Sequence, residues 1–507
     1  MTNTLCQEED ATELEAQAGA RATPNLPTVP YTVFSRSTIR LLTALIGTAS
    51  IFSSLSANIY FPSISALSRS LHTSIQKINL TITLYIVVQA ISPALLGGLA
   101  DNIGRRLIYL ISFSVYVFAN LGLALQNEYP ALLVLRMLQS FGCSAAIAIG
   151  FGVAADVAVP SERGGMLGPA SIAMNLGTCL GPLLGGLLVK NAGWRWMFWV
   201  LLIFGALFLL ILSALLPETA RSVVGNGEIE APDWNRPLLP HAKFKTEKST
   251  RQPSNSFVHS SERLKARDLC RAANPFRSLR LLLHRDVGLV VWSSAIVYAA
   301  YYVIQASMPQ ILEKKYGFNE QEVGLAYLAI GGGVVIGGYA NGKLLDSNYR
   351  KTAKTLGITP DVVTGDDMSS FPIERARTRM SYAMILLDTL LLLGYGWTLK
   401  GKTHVSGALM FQFLLGIIMT IIVQTFNALL VDINPRNPSA AAASGNIGRC
   451  TLAAGGVAAM QPLLDSIGTG WFCTLVGLVT GVGGIVAIGL IRWKGMAWRQ
   501  QRTKSDR

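Results

Sequence analysis

Apolar residues in this chain fall into long, nearly unbroken blocks rather than into the alternating or one-sided spacing of half-buried elements. A helix needs about 20 mostly apolar residues to cross a bilayer. Twelve blocks reach that length. The first six cover roughly 41–65, 78–100, 107–126, 131–155, 165–189 and 196–216. The second six cover roughly 287–311, 321–342, 380–399, 405–430, 440–463 and 471–491. The pattern predicts an all-α membrane protein of twelve transmembrane helices in two groups of six. A polar N-terminus (1–40), a central linker (217–286) and a polar tail (492–507) complete the division. The linker carries Pro232, Pro237, Pro240, Pro253, many serines and 13 basic residues, too polar a mixture to pack. Its last part, Arg263 to Arg285, mixes basic residues with Leu279, Leu281 and Leu282 and predicts an amphipathic helix on the membrane surface. The stretch 343–379 is a second long loop.

Composition agrees with the blocks. The 507 residues are 51% hydrophobic and only 14% charged, against about a quarter charged in soluble proteins. Net charge is +14, which alone would suggest nucleic acid. The placement of the charge excludes that. With twelve spans both termini share a side, and the segments on that side hold 33 Lys and Arg against 8 on the other. The short 2–3 loop, with Arg105 and Arg106, carries most weight, because long loops translocate with little regard to charge. The expectation is a monomeric plasma-membrane protein with cytoplasmic termini whose partner is the lipid bilayer, not nucleic acid. The acidic first 40 residues contain no signal-peptide core. Of six cysteines, Cys143, Cys179, Cys450 and Cys473 lie in apolar blocks without metal spacing, so no metal site is expected. There is no phosphate-binding G-x-x-x-x-G-K-[ST], all histidines lie outside the spans, and no catalytic constellation appears, so neither a cofactor nor enzyme activity is expected.

The chain is punctuated by Gly97-Gly-Leu-Ala-Asp-Asn-Ile-Gly-Arg-Arg106 at the exit of the second span. A reduced copy, Gly342 to Arg350, follows 245 positions later; both read G-x-L-x-D with an arginine four residues on, at Arg105 and Arg350. This repeat makes Asp101, Arg105, Arg106, Asp346 and Arg350 candidate gating residues. Asp156, at the end of the fourth span, is within reach of Arg105 or Arg106. Span 11 starts after Pro438 with Ser439, an N-cap residue type, and its positive end is placed to face Asp101. A latch from Asp101, Arg105 or Arg106, Asp156 and that helix start is expected to hold only when the outer side is open. Solvated loop ends are the plainer reading of all these charges.

Inside the spans, charge is rare and informative. Arg136, with Gln139 one turn on, reads either as a pathway group facing the bundle interior or as a side chain snorkelling from about 7 Å below the outer surface. Arg449 lies ten residues into span 11. Asp388, in span 9, is the one deep carboxyl group; it reads as a proton carrier or as the structural partner of Arg449. Asn58 and Tyr60 in Asn58-Ile-Tyr-Phe-Pro62 mark either the rim of a cavity or an interfacial aromatic anchor. In span 5, Gly177, Gly181 and Gly185 recur every four residues with Pro182 and Gly186 among them, a close-contact face with a built-in bend. That face is expected to form the seam between the halves. Span 8 is glycine-rich as well, with Gly331, Gly332, Gly333, Gly337 and Gly338.

These motifs resemble the major facilitator superfamily. Gly97 to Arg106 is similar to its loop 2–3 signature, with Asn102 where arginine is usual. Arg136 to Gly142 is similar to its span 4 signature, with Ser140 for a glycine. Gly177 to Leu188 matches its antiporter signature at each specified position. Asn58 to Pro62, Pro217-Glu-Thr219, Gly225-Asn-Gly227 and Asp432 through Arg449 resemble more narrowly the fungal multidrug-resistance and citrate-exporter group of the twelve-span drug:proton antiporter branch. The resemblance implies two pseudo-symmetric six-helix bundles around a central cavity lined by spans 1, 4, 7 and 10, with span 2 on span 11 and span 5 on span 8. It implies export of a small molecule, a drug, toxin or secondary metabolite, in exchange for protons. Arg136 and Arg449 leave an organic-acid exporter open, and a non-transporting sensor is the reading from another class.

Overall fold

The structure is a computed structural model describing residues 31–159, 162–232, 235–237, 276–355, 372–401, 403–434 and 438–505. The N-terminal tail before residue 31, most of the expected linker and the middle of the 343–379 loop lie outside the described residues. Among those described there are helices and no strands. The spans are α1 (Arg36–Asn58), α2 (Ile75–Ile103), α3 (Arg105–Leu125), α4 (Tyr129–Val157), α5 (Arg163–Ala192), α6 (Arg195–Leu215), α7 (Arg285–Tyr316), α8 (Glu320–Thr355), α9 (Ser381–Lys400) and α10 (Val405–Asp432). A last helix, Pro438–Ser505, is broken at Gly468, whose φ of 74° and ψ of 166° are not helical. It therefore supplies two spans, α11 (438–467) and α12 (469–505), and completes the twelve.

Local chemistry sets the boundaries. Ser35 and Ser74 cap α1 and α2, their side chains accepting from the amides of Thr38 and Lys77. Gly317, at φ 69°, ends α7 in the left-handed conformation that a Cβ disfavours. The first predicted span is interrupted: after Asn58 the chain makes a 3₁₀ turn, Phe61–Ser63, with Pro62 inside it, and then a short helix, Ile64–Ser70. Conversely, α8 runs on to Thr355, well past the predicted end. Of the expected surface helix before α7, the described part is Phe276–Leu282. There Leu281 and Leu282 pack on the core while Leu279 and Leu283 are exposed.

Two six-helix bundles meet along two seams, α5 against α8 and α2 against α11. The glycines of α5 serve two different neighbours. A Cβ on Gly177 or Gly185 would run into the α1 backbone or Ser54, and one on Gly181 would sit 3.0 Å from the Cβ of Asn58. This four-residue stripe therefore packs α5 onto α1 inside the first half, and not across the seam as its spacing alone suggests. The cross-half contact uses the adjacent face. Gly186 meets the backbone of Gly324, with 2.9 Å from an added Cβ to its Cα, and Cys179 meets Gly331. Gly333 and Gly337 of α8 pack on α10. Helix α5 continues through Pro169 and Pro182 without a break in assignment.

Bulk on the two faces of α5 should thus fail differently. Gly181→Leu is expected to destabilise the first half itself, by about 1–3 kcal/mol for overpacking. Gly186→Leu should leave each half folded and block movement of one half on the other. Thermal unfolding and flux of the purified variants separate the two: an unstable Gly186→Leu protein, or transport by it at the unsubstituted rate, counts against this division.

Candidate functional site

Arg136 is the most completely enclosed basic side chain among the described residues, with 1% of its surface exposed. Its guanidinium lies 4.1 Å from the ring centroid of Tyr60 and 4.3 Å from that of Tyr85. It donates through Nη1 to Gln139 Oε1 at 2.6 Å and to the Ser56 carbonyl at 3.3 Å. Gln139 Nε2 passes the chain on to Asn120 Oδ1 at 2.7 Å. Tyr60 is tied to Thr81 by a 2.9 Å hydroxyl bond. The arginine is a clamped interior group joining α1, α2, α3 and α4, and it does not snorkel. Cation–π contacts in a desolvated site are worth about 2 kcal/mol each, which offsets much of the burial. Ser140, the departure from the signature, donates to the Tyr85 carbonyl at 2.7 Å and stitches α4 to α2. Asn58 donates to the Ser54 carbonyl at 2.7 Å, and its Oδ1 is buried without a partner. Tyr60 is fully buried in this arrangement, in which the Arg69 end is closed over it.

Arg449 is treated differently. It is half-buried on α11, its guanidinium 5.4 Å from the Tyr298 ring centroid of α7, and its Nε is buried with no hydrogen-bond partner. One turn earlier, Asn446 donates to the Gln89 carbonyl of α2 across the halves at 3.0 Å. Asp388 is fully buried, and neither carboxyl oxygen has a partner among the described residues. The structural pairing of Asp388 with Arg449 is therefore not formed. Asp388 lies on the α9 face whose Ile385 and Leu392 pack on Gly484 and Gly477 of α12. Sequence reasoning missed a third set, the α7 groups Tyr301, Gln305 and Gln310, whose side-chain oxygens are buried and unpartnered. The signal was the run of tyrosines and glutamines between Tyr298 and Gln310.

The two ends of the molecule differ. At one end Arg69, after α1, reaches across to Glu313 at 2.6 Å and Glu320 at 2.5 Å on α7 and α8. Behind it the Phe61 ring stacks on Tyr327, with centroids 6.0 Å apart. At the other end the ion pairs among the described residues stay within each half. Arg105 bonds Asp101 at 2.5 Å and Asp156 at 2.9 Å. Arg106 donates instead to the carbonyls of Leu216 and Ser213. Gly104, at φ 124°, turns the chain so that the amides of Arg105 and Arg106 both donate to Glu218, which also accepts from Thr219, Ala220 and Asn235. A Cβ at Gly104 would fall 2.5 Å from that carboxylate. In the second half the equivalent of Arg105–Asp156 is Arg377–Asp432, at 2.8 Å.

The model of the major facilitator superfamily matches residues 46–458. The chain belongs to that family. The MFS-type transporter phiD of a fungal species is 36% identical over 479 residues, covering 94% of this chain and 72% of that protein. Citrate exporter 1 of Aspergillus niger is 31% identical over 496 residues, covering 97% and 91%. The Escherichia coli xylose transporter XylE, in a partially occluded inward-open conformation, superposes with a TM-score of 0.60 at 15% identity, over 90% of this chain and 97% of that one. The protein is a multi-pass membrane transporter with the major facilitator fold.

Two expectations about the superfamily loop motif need correction. The Asp101–Arg105–Asp156 set braces the first half, and it is engaged while the Arg69 end is closed, so it is not reserved for the opposite state. The side chains of Pro438 and Ser439, at the expected helix start, lie outside the described residues, as does that of Asp346. Arg350 is exposed at the surface beside Lys343, Ser347 and Lys351, and the second-half arginine of the brace is Arg377 rather than Arg350. Pairing geometry, not the G-x-L-x-D spacing, identifies it.

Removing one partner of the buried pair should be costly. Asp156→Asn is expected to destabilise the first half by about 3–5 kcal/mol, the range for leaving a buried charge uncompensated, lowered to the extent that Asp101 still holds Arg105. Thermal unfolding of Asp156→Asn and of Asp101→Asn checks the order: the exposed Asp101 should matter less.

Proposed function

We propose that the protein is a secondary active exporter of a small organic molecule, working by alternating access in exchange for protons. In this reading it acts as a monomer in the plasma membrane, with the Asp101 end and both termini cytoplasmic. The observation that carries the reading is the difference between the ends. Arg69 ties the halves together at one end, whereas among the described residues the ion pairs of the other end lie inside each half and place no charge lock between the halves there. That is the arrangement of a transporter open to the cytoplasm, where an export substrate enters. Rocking of one half on the other about the α5–α8 and α2–α11 seams would move the opening to the outside.

Direction and coupling rest on further support. The α5 stripe resembles the antiporter signature, and a citrate exporter is among the relatives. The excess of Lys and Arg at the Asp101 end favours a cytoplasmic location. Asp388 is the one carboxyl group deep in the spans and supplies a group able to take and release a proton. A sensor is disfavoured because the linker carries no folding pattern.

The test is substrate flux in vesicles against an imposed pH gradient at zero membrane potential. Wild-type protein should export when protons flow inward, and Asp388→Asn should lose proton-driven export by about tenfold or more while exchange of substrate for substrate persists. Absence of any pH-driven flux would reject antiport; pH-driven flux surviving Asp388→Asn would reject Asp388 as the carrier.

A further inference from the structure

We infer that Arg449 is an open anion-binding group that takes the carboxylate, or an equivalent pair of acidic oxygens, of the transported molecule, so that the substrate is a small organic acid. The inference rests on the export reading above and narrows it.

A guanidinium offers five N–H donors and does not lose its charge. Placed inside a transmembrane bundle it costs at least a few kcal/mol unless its donors are spent. Arg136 spends part of them: two aromatic faces lie against it and Nη1 donates to Gln139 and to a carbonyl, leaving Nε bare. The arginines of the Asp101 end do so too. Arg105 holds Asp156, Arg377 holds Asp432, Arg499 holds Glu374 and Arg502 holds Asp286. Arg449 has none of this. Among the described residues it makes no ion pair and no hydrogen bond, and its Nε is buried and bare. The Tyr298 ring lies 5.4 Å from its guanidinium, with Tyr302 also within its field.

Position makes the bare cation functional rather than merely unpaired. Asn446, one turn before it, bonds Gln89 of α2 in the other half. Gly448, beside it, packs on Val291 of α7. Arg449 therefore stands where α2, α7 and α11 converge at the junction of the halves. Gln89 Oε1 is likewise buried without a partner. A planar carboxylate matches the guanidinium fork through two parallel N–H···O bonds, a geometry that lysine does not reproduce. A neutral or basic substrate would leave the cation unanswered. Asp388, the deep acid of the same half, is bonded to nothing and does not fill the role.

The experiment uses the full chain expressed above its normal level in a fungal host, with the medium profiled by mass spectrometry beside a strain lacking it. Wild-type protein should enrich compounds bearing a carboxyl or comparable acidic group. Arg449→Gln, reaching the membrane in the same amount, should lower that enrichment about tenfold or more. Enrichment of neutral or basic compounds overturns the inference but not export, as does export of acids that persists in Arg449→Gln. A medium that the wild-type protein leaves unchanged overturns export and this inference with it. If Arg449→Gln does not reach the membrane, Arg449→Lys decides, because it keeps the charge and loses the fork: acid export reduced severalfold supports the site, and export equal to wild type overturns it.

Discussion

Close approach of α5 to its neighbours is the constraint on which the rest of this structure depends. In a bilayer no hydrophobic drive separates helix from lipid, so association comes from packing and from small residues that admit a neighbour's backbone. Helix α5 uses one glycine stripe, Gly177, Gly181 and Gly185, to fix α1, and a separate glycine, Gly186, to meet Gly324 on α8. The first contact belongs to a rigid half. The second joins the halves backbone to backbone at Gly186 and Gly324, with the Cys179 and Asn175 side chains of α5 seated on Gly331 and Gly338 of α8. Both contacts occupy the same few turns, so the orientation of α1, and with it Asn58 and Tyr60, is set by the helix that also bears the joint.

Charge is distributed to suit. The buried pairs at the Asp101 end, Arg105–Asp156 and Arg377–Asp432, stay inside a half, where they fix the relative positions of spans that move together. The last turns of α12 add Arg499 to Glu374 and Arg502 to Asp286. In the first half Glu218, after α6, holds the start of α3; in the second, Glu374 before α9 holds the end of α12. A glutamate closes the joint in both halves, on backbone amides in the first and on the Arg499 side chain in the second. Among the described residues the ion pairs that cross between halves are those of the exposed Arg69, and exposed pairs are weak, about 0.2–1 kcal/mol each. Strong pairs where motion is not wanted and weak ones where it is wanted give two stiff bodies with a breakable closure.

Span number, the two halves and the glycine-rich faces were legible in the sequence because each is a one-dimensional signal: length of apolar run, repetition and spacing. What each face touches was not. A stripe at four-residue spacing has a direction around its helix but no stated neighbour, so Gly181 read as a seam residue although it meets Asn58. The second copy of the loop motif was legible at Asp346 and Arg350, yet the cation that pairs with Asp432 is Arg377, in the short helix Ile373–Arg377 across a long loop. Depth along a span also misled for Arg136. A position near the end of an apolar block allows snorkelling, but aromatic rings from α1 and α2, distant in sequence, enclose it instead.

Arg449 and Asp388 are deep ionisable groups with no hydrogen bond among the described residues, and they differ in what can satisfy them. An arginine cannot give up its charge, so only an incoming anion can answer it. A carboxyl group can change its own charge by taking a proton, with no partner required. The fold keeps them on different helices, α11 and α9, with Asp388 against the α12 glycines and Arg449 at the junction of the halves. A shared site would force substrate and proton to compete for one group. Separate sites instead require that the state of Asp388 reach Arg449 through the packing of the second half. Its contact face, Ile385 and Leu392 on Gly484 and Gly477, is a glycine-lined surface of the kind that permits one helix to slide on another. In the proposed exchange, this separation of charges favours coupling by displacement of α9 against α12 over direct competition at one site.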